Sequence, residues 1–113
     1  MKPNAQLFKG SLSTIILKLL SEEGRMYGYE ITKRVREWSS GGLELTEGAL
    51  YPALHKLEAE GLLEVDIEYT GNRPRKYYSI TKSGKKETAA KLEELRHFVD
   101  QMQSLLHWRP GMA

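Results

Sequence analysis

Apolar residues recur with the period of an α-helix over the first third of the chain. A first amphipathic helix is predicted over residues 11–23, where leucine and isoleucine stand three and four positions apart: Leu12, Ile15, Ile16, Leu19 and Leu20. Gly24 ends it, and a second helix is predicted over residues 27–39 with an apolar stripe of Tyr27, Ile31, Val35 and Trp38. The run SSGG that follows is typical of a loop.

A third helix is marked at both of its ends. Thr46 is a good N-cap, and Leu45 and Leu50 occupy the two positions of a hydrophobic staple. Gly61 stands where a helix commonly ends in a glycine. The stretch between these signals, EGALYPALHKLEAE, is therefore predicted to be helical although it contains a proline.

Pro52 lies in the second turn of this third helix. There its ring removes a donor and crowds the carbonyl of Gly48, at a cost of about 3 kcal/mol in a helix interior. The alternative interpretation is that the helix starts near Tyr51, which would put Pro52 at the first helical position, where proline is favoured. The sequence leaves both interpretations open.

After Gly61 the hydrophobic period changes from 3.6 to 2. Apolar and acidic residues alternate in LLEVDIEY, as a half-buried strand requires, and the apolar set is Leu63, Val65, Ile67 and Tyr69. TGNRPR supplies turn residues and KYYSI a second β-rich run, so residues 62–80 are predicted to form a hairpin. Thr81 then caps a long helix that runs to about His107, where RPGMA ends it.

The order of elements predicts the fold class. Three helices followed by a hairpin and a long helix indicate a mainly α protein with a β-hairpin wing, a winged helix-turn-helix. We expect residues 10–81 to form the winged helix-turn-helix domain. Residues 82–108 would form a C-terminal dimerisation helix within the same compact unit.

The third helix has an unusual outer surface. Leu50, Leu54 and Leu57 cluster on one side and define its buried stripe. The opposite side carries few of the charged residues typical of a solvated helix, and comprises Gly48, Tyr51, Pro52, His55 and Ala59, with Lys56 at its margin. A glycine for close approach, two hydrogen-bonding side chains, and Thr46 at the helix N-terminus suit docking in a DNA major groove.

Charge is distributed unevenly along the chain. The net charge is only +2, but residues 71–86 hold six basic residues and no acidic one, which leaves 11 basic and 15 acidic residues elsewhere. Arg73, Arg75 and Lys76 flank the turn of the wing, where cations can reach the sugar-phosphate backbone or a minor groove. The alternative is a charged turn that is simply solvated.

Three stretches resemble a known family in both order and spacing. They are MYGYEI at residues 26–31, TEGALYPALHKLEAEGLL at 46–63 and RKYYSITKSGK at 75–85. Together with the first helix they make the chain similar to short members of the PadR family of transcriptional regulators. The resemblance implies a homodimeric winged-helix DNA-binding protein, usually a repressor, that is released by a small molecule or another signal.

The same resemblance implies roles for individual residues. It implies DNA contact by Gly48, Tyr51 and Pro52 in the third helix and by Arg75 and Lys76 in the wing. Some short relatives hold flat aromatic drugs between tryptophans near the middle of the last helix. This chain has Leu95 at the corresponding place, and its one late tryptophan is Trp108.

The last helix is predicted to be a dimer seam. Leu92, Leu95, Val99, Met102 and Leu106 follow the 3, 4 spacing of a coiled-coil stripe, which Phe98 and Leu105 widen. Two copies would then present two recognition helices to the half-sites of a palindromic operator in double-stranded DNA. Phe98, Met102 and Trp108 are candidates for a ligand site between the two copies, with simple interface packing as the alternative. Trp38 is expected in the core or an interface.

Composition narrows the remaining classes of function. A chain of 113 residues without cysteine is expected to be one cytoplasmic domain with no disulfide, and no signal peptide or membrane-spanning run is apparent. No catalytic, metal or cofactor motif occurs, and the three histidines are scattered, so we expect no enzyme and no cofactor. The alternative is a winged helix used for protein contact, which predicts DNA binding that is weak and insensitive to salt.

Overall fold

The computed structural model describes the backbone of residues 5–108 and the side chains of residues 8–108. Its elements, in chain order, are α1 (Ala5–Glu23), β1 (Met26–Tyr27), α2 (Gly28–Trp38), α3 (Glu47–Ala59), β2 (Leu63–Thr70), β3 (Arg73–Ile80) and α4 (Lys82–Leu106). This order confirms the predicted winged helix-turn-helix with a long final helix. The run RPGMA, predicted to end α4, lies outside the described residues.

Helix α1 is longer than predicted and lies at the centre of the molecule. It is already helical at Ala5 and continues through Gly10, which the periodicity did not include. Phe8 packs against the core from this added segment. Leu17, outside the predicted stripe, is fully buried because α1 is covered on several sides, by α2, α3, α4 and β3.

A two-residue strand stands where the start of the second helix was predicted. Met26 and Tyr27 pair antiparallel with Tyr78 and Tyr77, so the sheet has the order β1-β3-β2. Helix α2 therefore begins one residue later than predicted, and the backbone N–H of Tyr27 donates to the carboxylate of Glu30 at 3.2 Å. A strand of two residues is too short to show a hydrophobic period in the sequence, so it can be recognised only from its pairing with β3.

The β2–β3 hairpin is buried only at its base. Leu63 is buried and Val65 is half-buried, but Ile67 is 50% exposed and Tyr69 is 71% exposed. The predicted alternation is therefore correct for the orientation of the side chains and wrong for the burial of the outer half. That half extends beyond the helices as a wing.

The core joins α1, the stripe of α3 and the inner face of the sheet. Tyr78 is 1% exposed, and burial raises the pKa of its phenol, which keeps the ring neutral in the interior. Trp38, expected in the core or an interface, is 53% exposed in the single chain, so the core assignment is wrong. It borders an apolar pocket between α1, α2 and α4.

The start of α4 is joined to the end of α3. The Thr81 hydroxyl donates to the carbonyl of Gly61 at 2.8 Å and accepts from the N–H of Gly84 at 3.0 Å, as the predicted N-cap does. Gly84 is buried against the carbonyl oxygen of Leu62 and the side chain of Ile80. Helix α4 therefore approaches the base of the wing at a distance that only glycine allows.

Replacing Gly84 with alanine is expected to destabilise the protein. The added Cβ would overlap the Leu62 carbonyl oxygen and lie 2.6 Å from Cγ1 of Ile80, so the free energy of unfolding should fall by about 1–3 kcal/mol. The matched control is Gly10→Ala in α1, where a Cβ meets nothing within 4 Å and alanine should stabilise by up to about 1 kcal/mol. Urea denaturation followed by circular dichroism measures both, and equal losses would contradict the close approach.

Candidate nucleic-acid interface

Helix α3 has the start and the end that its sequence signals predict. The side chain of Thr46 accepts a hydrogen bond from the N–H of Ala49 at 3.3 Å, so the helix begins at Glu47. Pro52 lies inside it, and the alternative start near Tyr51 is wrong. At the other end Gly61 adopts φ of 77°, with the paired hydrogen bonds of a Schellman motif.

The two faces of α3 are separated as predicted. Leu50, Leu54 and Leu57 are at most 1% exposed. The predicted outer residues are all exposed, namely Gly48, Tyr51, Pro52, His55, Ala59 and Lys56, and so is Thr46 at the helix N-terminus. Since Pro52 offers no N–H to the carbonyl of Gly48, this face also presents an acceptor that is free of its usual helical partner.

Tyr51 is held in place rather than free in solvent. It is 37% exposed, and its hydroxyl end rests against the first residue of α2, since a Cβ built on Gly28 would lie 2.5 Å from the Tyr51 oxygen. Its ring centroid is 6.5 Å from that of His55. Gly28 is thus a site residue that sequence analysis missed, although the glycine of MYGYEI was the available signal.

A groove of about 750 Å³ runs beside the outer face of α3. Helix α1 forms the other wall of the groove. The residues that line the groove include Lys9, Ser13, Thr46, Gly48, Pro52 and Lys56. Lys9 is exposed on α1 and adds a cation that the sequence analysis did not assign to the site. The N-terminus of α3 therefore opens onto a groove with a lysine on each wall.

The three wing cations do not share a face. Strand alternation places Arg73 and Arg75 on the side of Tyr77, whereas Lys76 lies on the opposite side, where its pairing partner is Ile67. All three side chains are exposed. The wing therefore presents positive charge from both of its faces.

The concentration of positive charge along the chain does not become one basic patch. The acidic residues of β2 lie directly across from β3, with Glu68 opposite Arg75 and Asp66 opposite Tyr77. The three lysines at residues 82–86 belong instead to the first turns of α4. The count along the sequence overstated the positive charge of the hairpin, because it omitted the acidic residues of the neighbouring strand.

Arginine and tyrosine side chains cover the outer face of the sheet. The guanidinium of Arg25 lies 4.3 Å from the ring centroid of Tyr77, and that of Arg75 lies 4.6 Å from the centroid of Tyr27. The two rings meet edge to face at 5.4 Å. Arg25 also forms ion pairs with two carboxylates of β2, one to Asp66 at 3.2 Å and one to Glu68.

The predicted seam of α4 is largely uncovered in the single chain. Leu92 and Met102 are partly buried. The other predicted seam residues are 38–70% exposed, namely Leu95, Phe98, Val99, Leu105 and Leu106. Trp108, the third candidate for a ligand site, is 52% exposed. Near the start of the seam, Leu92 and Leu95 line the apolar pocket of about 380 Å³ that Trp38 also lines.

No helix within residues 5–108 is both long enough and apolar enough to cross a membrane. Among the side chains that the structure describes, no three histidine, aspartate or glutamate residues converge as a metal site.

The fold and this exposed helix and wing define a winged-helix regulator, and comparison with known proteins identifies its family. The Transcriptional regulator PadR-like family matches residues 16–90. The chain belongs to this family, whose members are transcriptional regulators rather than enzymes.

Individual relatives agree with this assignment. The transcriptional regulator Rv3488 of Mycobacterium tuberculosis is 40% identical over 63 residues, which are 53% of this chain and 59% of that protein. A PadR family transcriptional regulator from Eggerthella lenta is similar in structure, with a TM-score of 0.80, 29% identity, and coverage of 92% of this chain and 88% of the other. Bacillus subtilis PadR in complex with operator DNA has a TM-score of 0.65 and 33% identity, over 72% of this chain and 46% of that chain.

The contact between Gly28 and Tyr51 can be tested by a double-mutant cycle. Gly28→Ala should lower the free energy of unfolding by about 1–3 kcal/mol, because the new methyl group displaces the Tyr51 ring. In a Tyr51→Ala background the same change should cost much less, since the obstructing hydroxyl is gone. Urea denaturation of the four proteins gives the coupling. Costs that simply add would show that Tyr51 does not rest on Gly28.

Proposed function

We propose that this protein is a homodimeric, sequence-specific DNA-binding repressor that is released from its operator by a small molecule or another signal. The observation that carries the proposal is the exposed outer face of α3, held outward by its buried leucine stripe and accompanied by a wing with a cationic tip. Its similarity to Bacillus subtilis PadR, which has been solved with operator DNA, supports this function. Repression and a cytoplasmic location belong to the same proposal.

The outer face of α3 reads the major groove. Thr46 and the N-terminus of the helix meet a phosphate, because the first N–H groups of a helix and its dipole favour an anion there. Gly48 and Pro52 let the backbone come close to the DNA without a long side chain in between. Tyr51 and His55 then reach base edges with hydrogen-bonding groups, while Lys56 contacts the backbone.

The wing binds the flanking DNA through its three cations. Arg73 and Arg75 on one face and Lys76 on the other suit a tip that lies in a minor groove, between the two phosphate strands. These contacts carry no base specificity of their own. They supply affinity that falls as salt rises, because each neutralised phosphate releases counterions.

Helix α4 pairs two copies of the chain. Its seven apolar seam residues leave a wide strip uncovered on the single chain, and such a strip is an association liability in a monomer. Burying it against a second copy removes that exposure and joins two reading helices into one symmetric unit. The operator is then a palindrome whose half-sites lie about one helical turn apart.

An effector site belongs to the same dimer. Phe98 and Met102 on α4, and Trp108 just after its end, offer apolar and aromatic surface to a flat molecule held between the two copies. A ligand that fits one arrangement of the two copies better than the other would shift the spacing of the reading helices, and so release the operator.

Two substitutions separate base reading from backbone binding. Tyr51→Ala should weaken binding to the operator more than binding to random duplex, because it removes a base contact. Arg75→Ala should weaken both about equally and flatten the salt dependence by about one unit. Fluorescence anisotropy between about 50 and 200 mM salt measures these effects, on an operator footprinted upstream of the protein's own gene.

Two results would count against this assignment. Unchanged operator discrimination in Tyr51→Ala would show that the reading face is wrong. Weak binding to every duplex without salt dependence would favour a winged helix used for protein contact.

The dimer seam is tested with a buried charge and a matched control. Val99→Glu puts a carboxylate in the middle of the apolar stripe of α4, so it should convert the dimer to a monomer and weaken operator binding at least tenfold. Ser104→Glu adds the same charge at an exposed position on the opposite side of the helix, where it should leave the dimer intact. Light scattering at micromolar concentration gives the mass, and a monomeric wild-type protein would contradict the seam.

A further inference from the structure

We propose that Arg25 positions the wing for DNA by occupying the two carboxylates of β2 that would otherwise capture Arg75. The inference rests on the proposed function, in which Arg75 binds a DNA phosphate. Arg25 itself makes no DNA contact in this proposal. It is a positioning residue, and its effect reaches the DNA only through Arg75.

The strand register places two carboxylates of β2 close to Arg75. Glu68 is the direct cross-strand partner of Arg75, and Asp66 is one pair further along the same face of the sheet. Directly opposed side chains have Cβ atoms only about 4.5–5.5 Å apart, so a glutamate and an arginine in this relation readily form an ion pair. A guanidinium bound to a carboxylate has its N–H donors engaged and is less available to a phosphate.

Arg25 meets both carboxylates at once. Its Nη1 lies 3.2 Å from Oδ2 of Asp66 and its Nη2 contacts Oε1 of Glu68. The hydrogen bond to Glu68 raises the pKa of Arg25, whose guanidinium is charged at physiological pH in any case. Its guanidinium also stacks over Tyr77 at 4.3 Å, which holds it against the sheet.

Arg75 is left in a different environment. Within residues 8–108 the structure shows no carboxylate in ion-pair contact with it, although Glu68 stands directly opposite. Its guanidinium lies instead over the ring of Tyr27 at 4.6 Å. A guanidinium held over an aromatic ring without a carboxylate partner keeps N–H donors available for a phosphate.

The backbone places Arg25 where it can do this. Gly24 ends α1 with φ of 81°, and its N–H donates to the carbonyl of Leu20 at 3.0 Å. The chain then turns directly into β1, so Arg25 precedes the edge strand and reaches over Tyr77 to β2. Tyr27, two residues later, provides the ring on which Arg75 lies. The segment 25–27 therefore carries Arg25 and also orients Arg75.

The test measures DNA binding of Arg25→Ala, Arg75→Ala and the double variant, by anisotropy on operator and random duplex across about 50–200 mM salt. Arg25→Ala should weaken binding to both duplexes about three- to tenfold and flatten the salt dependence by about one unit, as loss of the Arg75 contact does. In the Arg75→Ala background the same substitution should have little further effect. Adding Glu68→Gln to Arg25→Ala should restore most of the affinity, because the competing charge is removed.

Controls separate this mechanism from a general loss of charge or fold. Arg96→Ala on α4 also removes a carboxylate-paired arginine, but one away from the sheet, and it should change binding less than twofold. Circular dichroism and urea denaturation establish that each variant is folded.

The remaining outcomes distinguish failure of the proposed Arg75 contact with DNA from failure of the proposed role of Arg25. Normal binding by Arg75→Ala removes the wing contact and this inference together, while the Tyr51 experiment still tests the reading helix. If Arg75→Ala binds weakly, the inference alone is overturned by any of three results. These are normal binding by Arg25→Ala, an undiminished effect of Arg25→Ala without Arg75, or no recovery with Glu68→Gln.

Discussion

Burial of the leucine stripe of α3 fixes the rotation of that helix about its axis, and the reading face of the candidate interface depends on this rotation. Leu50, Leu54 and Leu57 are at most 1% exposed, and burying each such side chain is worth about 1.5–3 kcal/mol. A rotation that exposed them would lose several kcal/mol, comparable with the whole stability of a small domain. The glycine, proline and aromatic residues opposite are therefore held outward whatever their own preference.

The same packing links the reading helix to the other two functional elements. The Schellman turn at Gly61 leads directly into β2, and the Thr81 hydroxyl donates to the Gly61 carbonyl while capping α4. Gly84 then brings α4 against Leu62 in the same turn. The end of the reading helix, the base of the wing and the start of the proposed dimer helix thus meet at one joint. Their relative orientation is set without a flexible linker.

The electrostatic potential of the wing depends on which charged side chains are neighbours across the two strands, and not only on the net charge of one sequence segment. Glu68 of β2 lies opposite Arg75, and Asp66 and Glu64 lie on the same face of the sheet, so a sum over one sequence segment overstates the positive potential of the folded hairpin. Arg25 and the tyrosines of the outer face decide which cation is engaged and which is available. Each of these ion pairs and arginine–tyrosine contacts contributes little stability at an exposed surface. They matter because they determine which arginine is bound to the carboxylates of β2 and which remains available.

Local signals in the sequence determined most of the elements, since caps, glycine stops and periodicity act over a few residues. They were sufficient for the caps of α3 and for the alternation of the hairpin, but they left open whether Pro52 lies inside α3 or at its start, which the structure decided. They did not reveal strand β1, the full burial of Leu17, the exposure of Trp38 or the contact of Tyr51 with Gly28. Each of these depends on a partner distant in the chain. Only the tertiary structure decided them, because burial and side-chain contacts are properties of neighbours in space, which a one-dimensional pattern does not contain.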